Sequence, residues 1–412
     1  MTRCPVGLLC LLVAACETGP NFGAPVTVVA GHAANPTVAV DPRGGVYVAW
    51  VQTEPDSTTN AYVARAPRGG GFERPVRLND RPGEVMLATQ NPAQVQVGGD
   101  GTVYVAWVSD RAPPASRHSD VSVRLVRSTD GGRSFSAPVT LAVDLGRRWP
   151  ANMYYDLASA GDGSLYVSWL DLHYYSDSLA ARASRHAADS TPVPEDRVDL
   201  RVARSTDGGR TFTQSLILDS SSCICCRTAI AAGPDGNPHV LWRHVFPGSV
   251  RDFYAASSYD RGRTFSAPVR VHDDGWVLDG CPDIGPDIVV DQRNVVHAAW
   301  YTGAPSRQGL WYAPSRDGGA HFDGPVALLT DRYVPPSEVK LASLGARAWI
   351  VWEDRRTAPG QIRFVQAGRR RSVSLGVGEF PTIAAGGDRL AVAWVAKSAV
   401  RVRVAEMKTG PR

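Results

Sequence analysis

The chain has 412 residues, a formal net charge of +4, 43% hydrophobic residues, 40 glycines and 30 prolines. So even a balance, with the basic residues dispersed, excludes a nucleic-acid-binding surface, and the one basic run, Arg369, Arg370 and Arg371, reads as a solvated loop. Many turn residues between short, β-branched apolar runs make the class all-β, with enough apolar content for a large core.

Met1, Thr2 and Arg3 form a basic start, and the apolar stretch from Val6 to Ala15 is too short to anchor across a bilayer. It ends Val13-Ala14-Ala15-Cys16, which resembles a bacterial lipobox. That resemblance implies cleavage after Ala15, a lipid on Cys16, and an exported, membrane-anchored lipoprotein of the bacterial cell envelope; plain secretion after Ala15 is the alternative. Residues 1–15 are therefore read as a signal peptide, 16–24 as a lipidated tether and 25–412 as a single domain. Cys4 and Cys10 leave with the leader, so the mature chain keeps Cys16, Cys223, Cys225, Cys226 and Cys281.

Beyond the tether one pattern dominates. Apolar alternation closing on tryptophan returns seven times, at Trp50, Trp107, Trp169, Trp242, Trp300, Trp352 and Trp394. Each run has a strand and a turn before it and another strand after it. With a short Pro-Val strand to follow, each repeat is a four-stranded antiparallel blade, and seven repeats predict a seven-bladed β-propeller, with six blades as the alternative. The last repeat runs out after its third strand, near Ala405. Residues 24–29 have the form of every other fourth strand, so the N-terminal strand is expected to close the seventh blade and remove the exposed edges. Tryptophans placed this regularly inside strands are expected to pack between sheets.

Four repeats carry S-x-D-x-G-x-x-F after the third strand: Ser128, Asp130, Gly132 and Phe135; Ser205, Asp207, Gly209 and Phe212; Ser258, Asp260, Gly262 and Phe265; Ser315, Asp317, Gly319 and Phe322. A worn copy stands at 68–72. Ser and Asp side chains bond nearby amides, Gly takes positive φ, and the aromatic tucks under the turn, so the motif is structural. It resembles the Asp box, or bacterial neuraminidase repeat, of the sialidase superfamily. The resemblance implies a propeller with the boxes on the turns between third and fourth strands, away from the catalytic face.

In that strand order the fourth-to-first and second-to-third connections share the channel mouth. Cys223, Cys225 and Cys226 lie on the connection entering blade 4 and Cys281 on the one entering blade 5, so the four should converge there. Three chemistries fit: disulfides, with Cys223–Cys226 and Cys225–Cys281 the least strained pairing; a thiolate site for copper or zinc; or a redox-active dithiol. The same face should collect Arg243, His244, Arg251 and Asp252; Glu353, Asp354, Arg355 and Arg356; Asp171, His173, Tyr174 and Tyr175; and Arg147, Arg148, Trp149, Tyr154, Tyr155 and Asp156. The insertion at 177–197 reads as a long loop on that face.

The sialidase resemblance further implies three arginines on a substrate carboxylate, a tyrosine nucleophile helped by a glutamate, and an aspartate acid/base. The family's Phe-Arg-Ile-Pro motif is replaced here by Asn35, Pro36, Thr37 and Val38, and seven blades depart from the six of the catalytic sialidases. Arg227, Arg243 and Arg251, with Tyr154 or Tyr155 and Glu353, are the candidates for a substitute set. The expectation is a monomeric scaffold whose mouth binds a glycan, peptide or metal, with an exo-α-sialidase and a cysteine-based metal or redox site as the alternatives.

Overall fold

The computed structural model describes residues 19–113, 116, 119–141, 150–176 and 197–407. Among them seven antiparallel sheets stand around one axis. Blade 1 runs Ala33–Val40, Val46–Thr53, Thr59–Ala66 and Val76–Arg77; blade 2 runs Gln94–Val97, Val103–Asp110, Val121–Ser128 and Val139–Thr140. Blade 3 is Asn152–Ser159, Leu165–Asp171, Asp199–Ser205 and Leu216–Asp219, and blade 4 is Ala229–Ala232, Pro238–Phe246, Val250–Ser257 and Val269–Arg270. Blade 5 is Asp287–Val290, Val296–Thr302, Gly309–Ser315 and Val326–Thr330; blade 6 is Val339–Leu344, Arg347–Asp354, Gln361–Gln366 and Val373–Val377. Blade 7 has Glu379–Gly386, Arg389–Ala396 and Ala399–Glu406. The first strands are innermost, and each touches the next around the axis, that of blade 7 meeting that of blade 1.

Burial explains the stacking. The second strands are apolar on both faces because each is covered on both sides, so alternation gives way to a nearly continuous run. Each of the seven interfaces between blades holds its own hydrophobic cluster. Trp107 of blade 2, for instance, packs with Val51, Ala61 and Val63 of blade 1. Trp50, Trp107, Trp169, Trp242 and Trp300 are fully buried, so packing is the role of these rings, as their placement predicts.

The N-terminal strand closes the seventh blade. Val26–Val29 pairs antiparallel with Ala399–Glu406, Val26 opposite Val402 and Thr27 opposite Arg401. The sheet reaches further than expected, into the stretch read as a tether. Asn21–Phe22 adds a second short strand on the same partner, Phe22 is buried against Phe364, and Arg403 donates to the Phe22 and Gly23 carbonyls.

The four box turns share one hydrogen-bond scheme. Ser128 Oγ donates to Asp130 Oδ1 and accepts from the Gly132 amide, while Asp130 Oδ1 accepts the amides of Arg133 and Ser134. The same bonds recur at Ser205 and Asp207, Ser258 and Asp260, and, but for one amide, Ser315 and Asp317. Phe135, Phe212, Phe265 and Phe322 pack partly buried against the interface clusters.

Candidate functional site at the channel mouth

Strand direction puts the fourth-to-first and second-to-third connections at one end of the propeller, and the structure shows them bonded to each other. The Cys223 amide donates to the Arg243 carbonyl, Val245 to Ser221, Arg251 to Trp276 and Leu278 to Ser249. The box turns meet the first-to-second turns at the other end, where the Arg261 amide donates to Asn237 Oδ1.

The inner strands line an axial cavity of about 370 Å³. Its two ends differ chemically. Gln94, Asp156, Arg227, Asp287, Glu338 and Lys340 lie at the mouth, whereas Val40, Val97, Ala232, Val290 and Ala385 lie toward the box end. Arg227 is the buried centre of the polar end. Its guanidinium donates to the Thr228 and Pro286 carbonyls and stands 3.8 Å from Asp287, which Lys340 approaches at 3.5 Å from the next blade.

The acids around Arg227 are withdrawn from bulk water. Burial pushes Asp287 up to about 8 and Asp156 up to about 6, in each case against the opposing charge of Arg227. Burial raises Glu338 as well; one of its oxygens accepts from Gln90, and the other has no partner among the described residues. Each aspartate also ties two blades together: Asp156 accepts the Ile230 amide and Asp287 the Leu341 amide.

Three inner strands bulge at the same place, where Asn35, Tyr154 and Phe380 hold positive φ of 49°, 56° and 53°. A large side chain in the left-handed region costs of order 1–3 kcal/mol. At Tyr154 that conformation is held by the Asn91 side chain on its amide and the Thr228 amide on its carbonyl. The Tyr154 ring lies against Cys223, Cys225 and Cys226, and burial, with Asp283 and the two free thiols adding to it, pushes its hydroxyl up to about 12.

The four cysteines do meet at the mouth. Cys225 is bonded to Cys281, joining the connections that enter blades 4 and 5. The expected Cys223–Cys226 bond is not formed: both thiols are free and buried, with their sulfurs 3.5 Å apart. Cys226 donates to Cys223 Sγ instead, and Arg251 Nη1 donates to the same sulfur at 3.1 Å, so two donors hold Cys223 as an acceptor.

The arginine set does not point to one place. Arg243 is 1% exposed, sandwiched between the Phe253 and Trp276 rings, with its nitrogens on the Arg251, Ile284 and Tyr301 carbonyls. Arg251 serves Cys223 and the Leu278 carbonyl, and Arg227 serves the channel. The hydroxyl of Tyr155 is buried on the Pro92 and Ala106 carbonyls. Glu353 sits in blade 6 beside Arg355 and the Phe380 amide, pushed up to about 7 by burial.

Several expected mouth residues are held locally: His173 is hydrogen-bonded and Arg201 ion-paired to Asp171, His244 is hydrogen-bonded to Asp219, Arg356 pairs with Asp354 and Asp331, and Arg270 with Asp252. Cys16, Arg147, Arg148, Trp149 and residues 177–196 lie outside the described residues. Sequence reasoning placed Asp156 at the mouth but missed Gln94, Asp287, Glu338 and Lys340, which line the same polar end of the cavity. The available signal was an acid at or near the start of an otherwise apolar innermost strand, as at Asp287.

No family model matches the chain, and no curated protein does. Among solved structures it is similar to the BP39L lectin from Burkholderia pseudomallei, with a TM-score of 0.59 and 11% identity over 92% of this chain and 98% of that one. It is similar to a polysaccharide lyase, an ulvan lyase, with a TM-score of 0.59 and 13% identity over 94% and 96% of the two chains. A Hadza microbial sialidase, Hz136, gives a TM-score of 0.54 and 14% identity over 89% and 77%. At such identities the likeness concerns the fold alone, and that fold is a seven-bladed β-propeller.

Proposed function

We propose that the chain is a carbohydrate-binding scaffold that holds a sugar unit at the mouth of its axial channel. The polar mouth carries this reading: Arg227, Lys340, Gln94, Asp156, Asp287 and Glu338 converge at one end of a cavity of about 370 Å³. Small-molecule pockets run from about 300 to 1,000 Å³, so the space suits a compact ligand. Carboxyls, an amide and two cations supply the mixed donors and acceptors that hydroxyls pair with. The names of the structural neighbours, a lectin, a polysaccharide lyase and a sialidase, point to the same ligand class.

Binding is favoured over sialidase-type hydrolysis. A carboxylate clamp needs guanidinium forks facing the ligand, and Arg243 is capped by two rings and three carbonyls. A tyrosine nucleophile needs an accessible hydroxyl, and that of Tyr155 is bound to two carbonyls.

A glycan array should retain the mature protein, and Lys340→Met should abolish retention with an unchanged circular dichroism spectrum. Failure to retain on any glycan sinks the reading, and so does release of sialic acid from a fluorogenic sialoside. The proposal extends to export and acylation at Cys16, so labelled palmitate fed to the producing bacterium should enter the wild-type protein and not Cys16→Ser.

A further inference from the structure

Cys223, Cys225 and Cys226 share one turn, and their sulfurs lie within 4.8 Å of one another. Cys223 and Cys226 form a C-x-x-C pair in which the second thiol donates to the first. That hydrogen bond, with Arg243 and Arg251 behind it, holds Cys223 down to about 6, whereas burial pushes Cys226 up. Cys223 is therefore the nucleophile and Cys226 its proton donor. Its nearest electrophile is internal: Cys225 Sγ, already part of a disulfide, lies 3.9 Å away. The far end of that disulfide, Cys281, is exposed, while Cys223 and Cys226 are 1% and 2% exposed.

We propose that the four cysteines form an intramolecular thiol–disulfide relay in which the buried Cys223/Cys226 dithiol exchanges with the Cys225–Cys281 disulfide. In the first step Cys223 Sγ attacks Cys225 Sγ; the Cys223–Cys225 bond forms, the Cys225–Cys281 bond breaks, and Cys281 leaves with the electron pair and takes up a proton. In the second step the deprotonated Cys226 Sγ attacks Cys223 Sγ; the Cys223–Cys226 bond forms, the Cys223–Cys225 bond breaks, and Cys225 takes up the second proton. One disulfide and two thiols stand on each side, and the two protons that leave Cys223 and Cys226 end on Cys225 and Cys281. No outside oxidant or reductant is needed.

The exchange moves a covalent tie. Before it, the bond joins the connections entering blades 4 and 5; after it, the bond closes within one turn and the Cys281 segment is released. Cys281, the exposed residue of the four, is where an external thiol or disulfide meets the system, and the buried pair holds the reducing equivalents before the exchange and the disulfide after it. Two observations favour exchange over a soft-metal site in the same cluster. Arg251 presents positive charge to the sulfur that a cation would need, and one of the three clustered sulfurs is already bonded to carbon and sulfur.

The relay is tested on the mature protein kept free of reductant at neutral pH, with N-ethylmaleimide labelling over time, an acid quench and peptide mapping without reduction. Arg227 puts Cys225 and Cys281 on separate tryptic peptides, so Cys281 labelling reads the exchange directly. Wild type should show Cys281 labelling that grows with time, together with a Cys223–Cys226 link. Cys223→Ser should lower that labelling about tenfold or more, and Arg251→Gln should slow it severalfold. Cys226→Ser should stop after the first step and accumulate the Cys223–Cys225 link. The relay is overturned if Cys225–Cys281 remains the sole link and Cys281 stays unlabelled in wild type, a result that needs no variant to fold. Labelling of Cys281 at the wild-type rate in Cys223→Ser overturns it too, as does stoichiometric zinc or copper that shields all four sulfurs.

Discussion

Gly262 is fixed by two constraints at once. Its φ of 78° favours glycine, and a Cβ there would stand 2.7 Å from Cε1 of the Tyr166 ring. Tyr166 belongs to blade 3, and its hydroxyl donates to the Arg261 and Gly236 carbonyls of blade 4. The box turn is thus a latch between blades as well as a local turn. Tyr47 beneath Gly132 and Tyr104 beneath Gly209 repeat the contact. The Ser, Asp and Gly roles were legible in the sequence because those bonds span at most four residues. The tyrosine's role was not, although it stands in the same runs that end in tryptophan, because Tyr47 meets Gly131 across 84 positions. Gly262→Ala should destabilise the fold by about 1–3 kcal/mol, combining backbone strain with the displaced ring. Gly324→Ala, where a Cβ meets no atom within 4 Å, should stay within about 0.5 kcal/mol. Urea midpoints of the two variants measure the difference, and equal midpoints would show that the ring yields freely.

The innermost strands face a problem that the outer ones do not, since first strands of different blades share no ladder and the amides on their axis-facing edges need other partners. Side chains supply them: Thr37 Oγ1 accepts the Val95 amide, Gln94 donates to the Tyr155 carbonyl, and Asp156 and Asp287 accept amides from the blades that follow. That girdle was invisible in the sequence, because each partner sits one blade away. The cysteines show the same limit. Their meeting could be read from two connections entering adjacent blades, but which sulfurs bond depends on the turn at Cys223 and on Arg251, which spacing does not encode. Asp287 in the girdle has a measurable consequence. Burial lifts it to about 8, above its unfolded value near 4, so between those values the folded state holds more protons than the unfolded one. Stability attributable to this group is therefore full below about pH 4 and falls as pH rises toward 8. Asp287→Asn keeps an oxygen for the Leu341 amide and removes the ionisation, so its unfolding midpoint should fall less between pH 5 and 8 than the wild-type midpoint. Parallel slopes would place the cost of the buried charge elsewhere.

Circular closure is what brings distant connections to one mouth, and it rests on strands from both ends of the described chain. Seven tryptophan runs allowed the blades to be counted, and the unpaired third strand of the last repeat called for a partner. Asn21–Phe22 escaped notice because two residues carry no alternation. Its contribution is nonetheless specific: Phe22 fills a gap against Phe364, and Arg403 reaches over the Phe22 and Gly23 carbonyls. Phe22→Ala should cost about 3 kcal/mol, as for a buried aromatic truncated in a core. Removing residues 19–29 goes further, because Ala399–Glu406 then presents an unpaired edge that can pair with another copy. Light scattering should show self-association of that truncated chain beyond the mass of the full chain, and a synthetic peptide of residues 19–29 added in trans should return it to the full chain's mass by filling the same register. A truncated chain that keeps the wild-type mass and unfolding midpoint would mean that the remaining strands of the seven blades hold the propeller closed without residues 19–29.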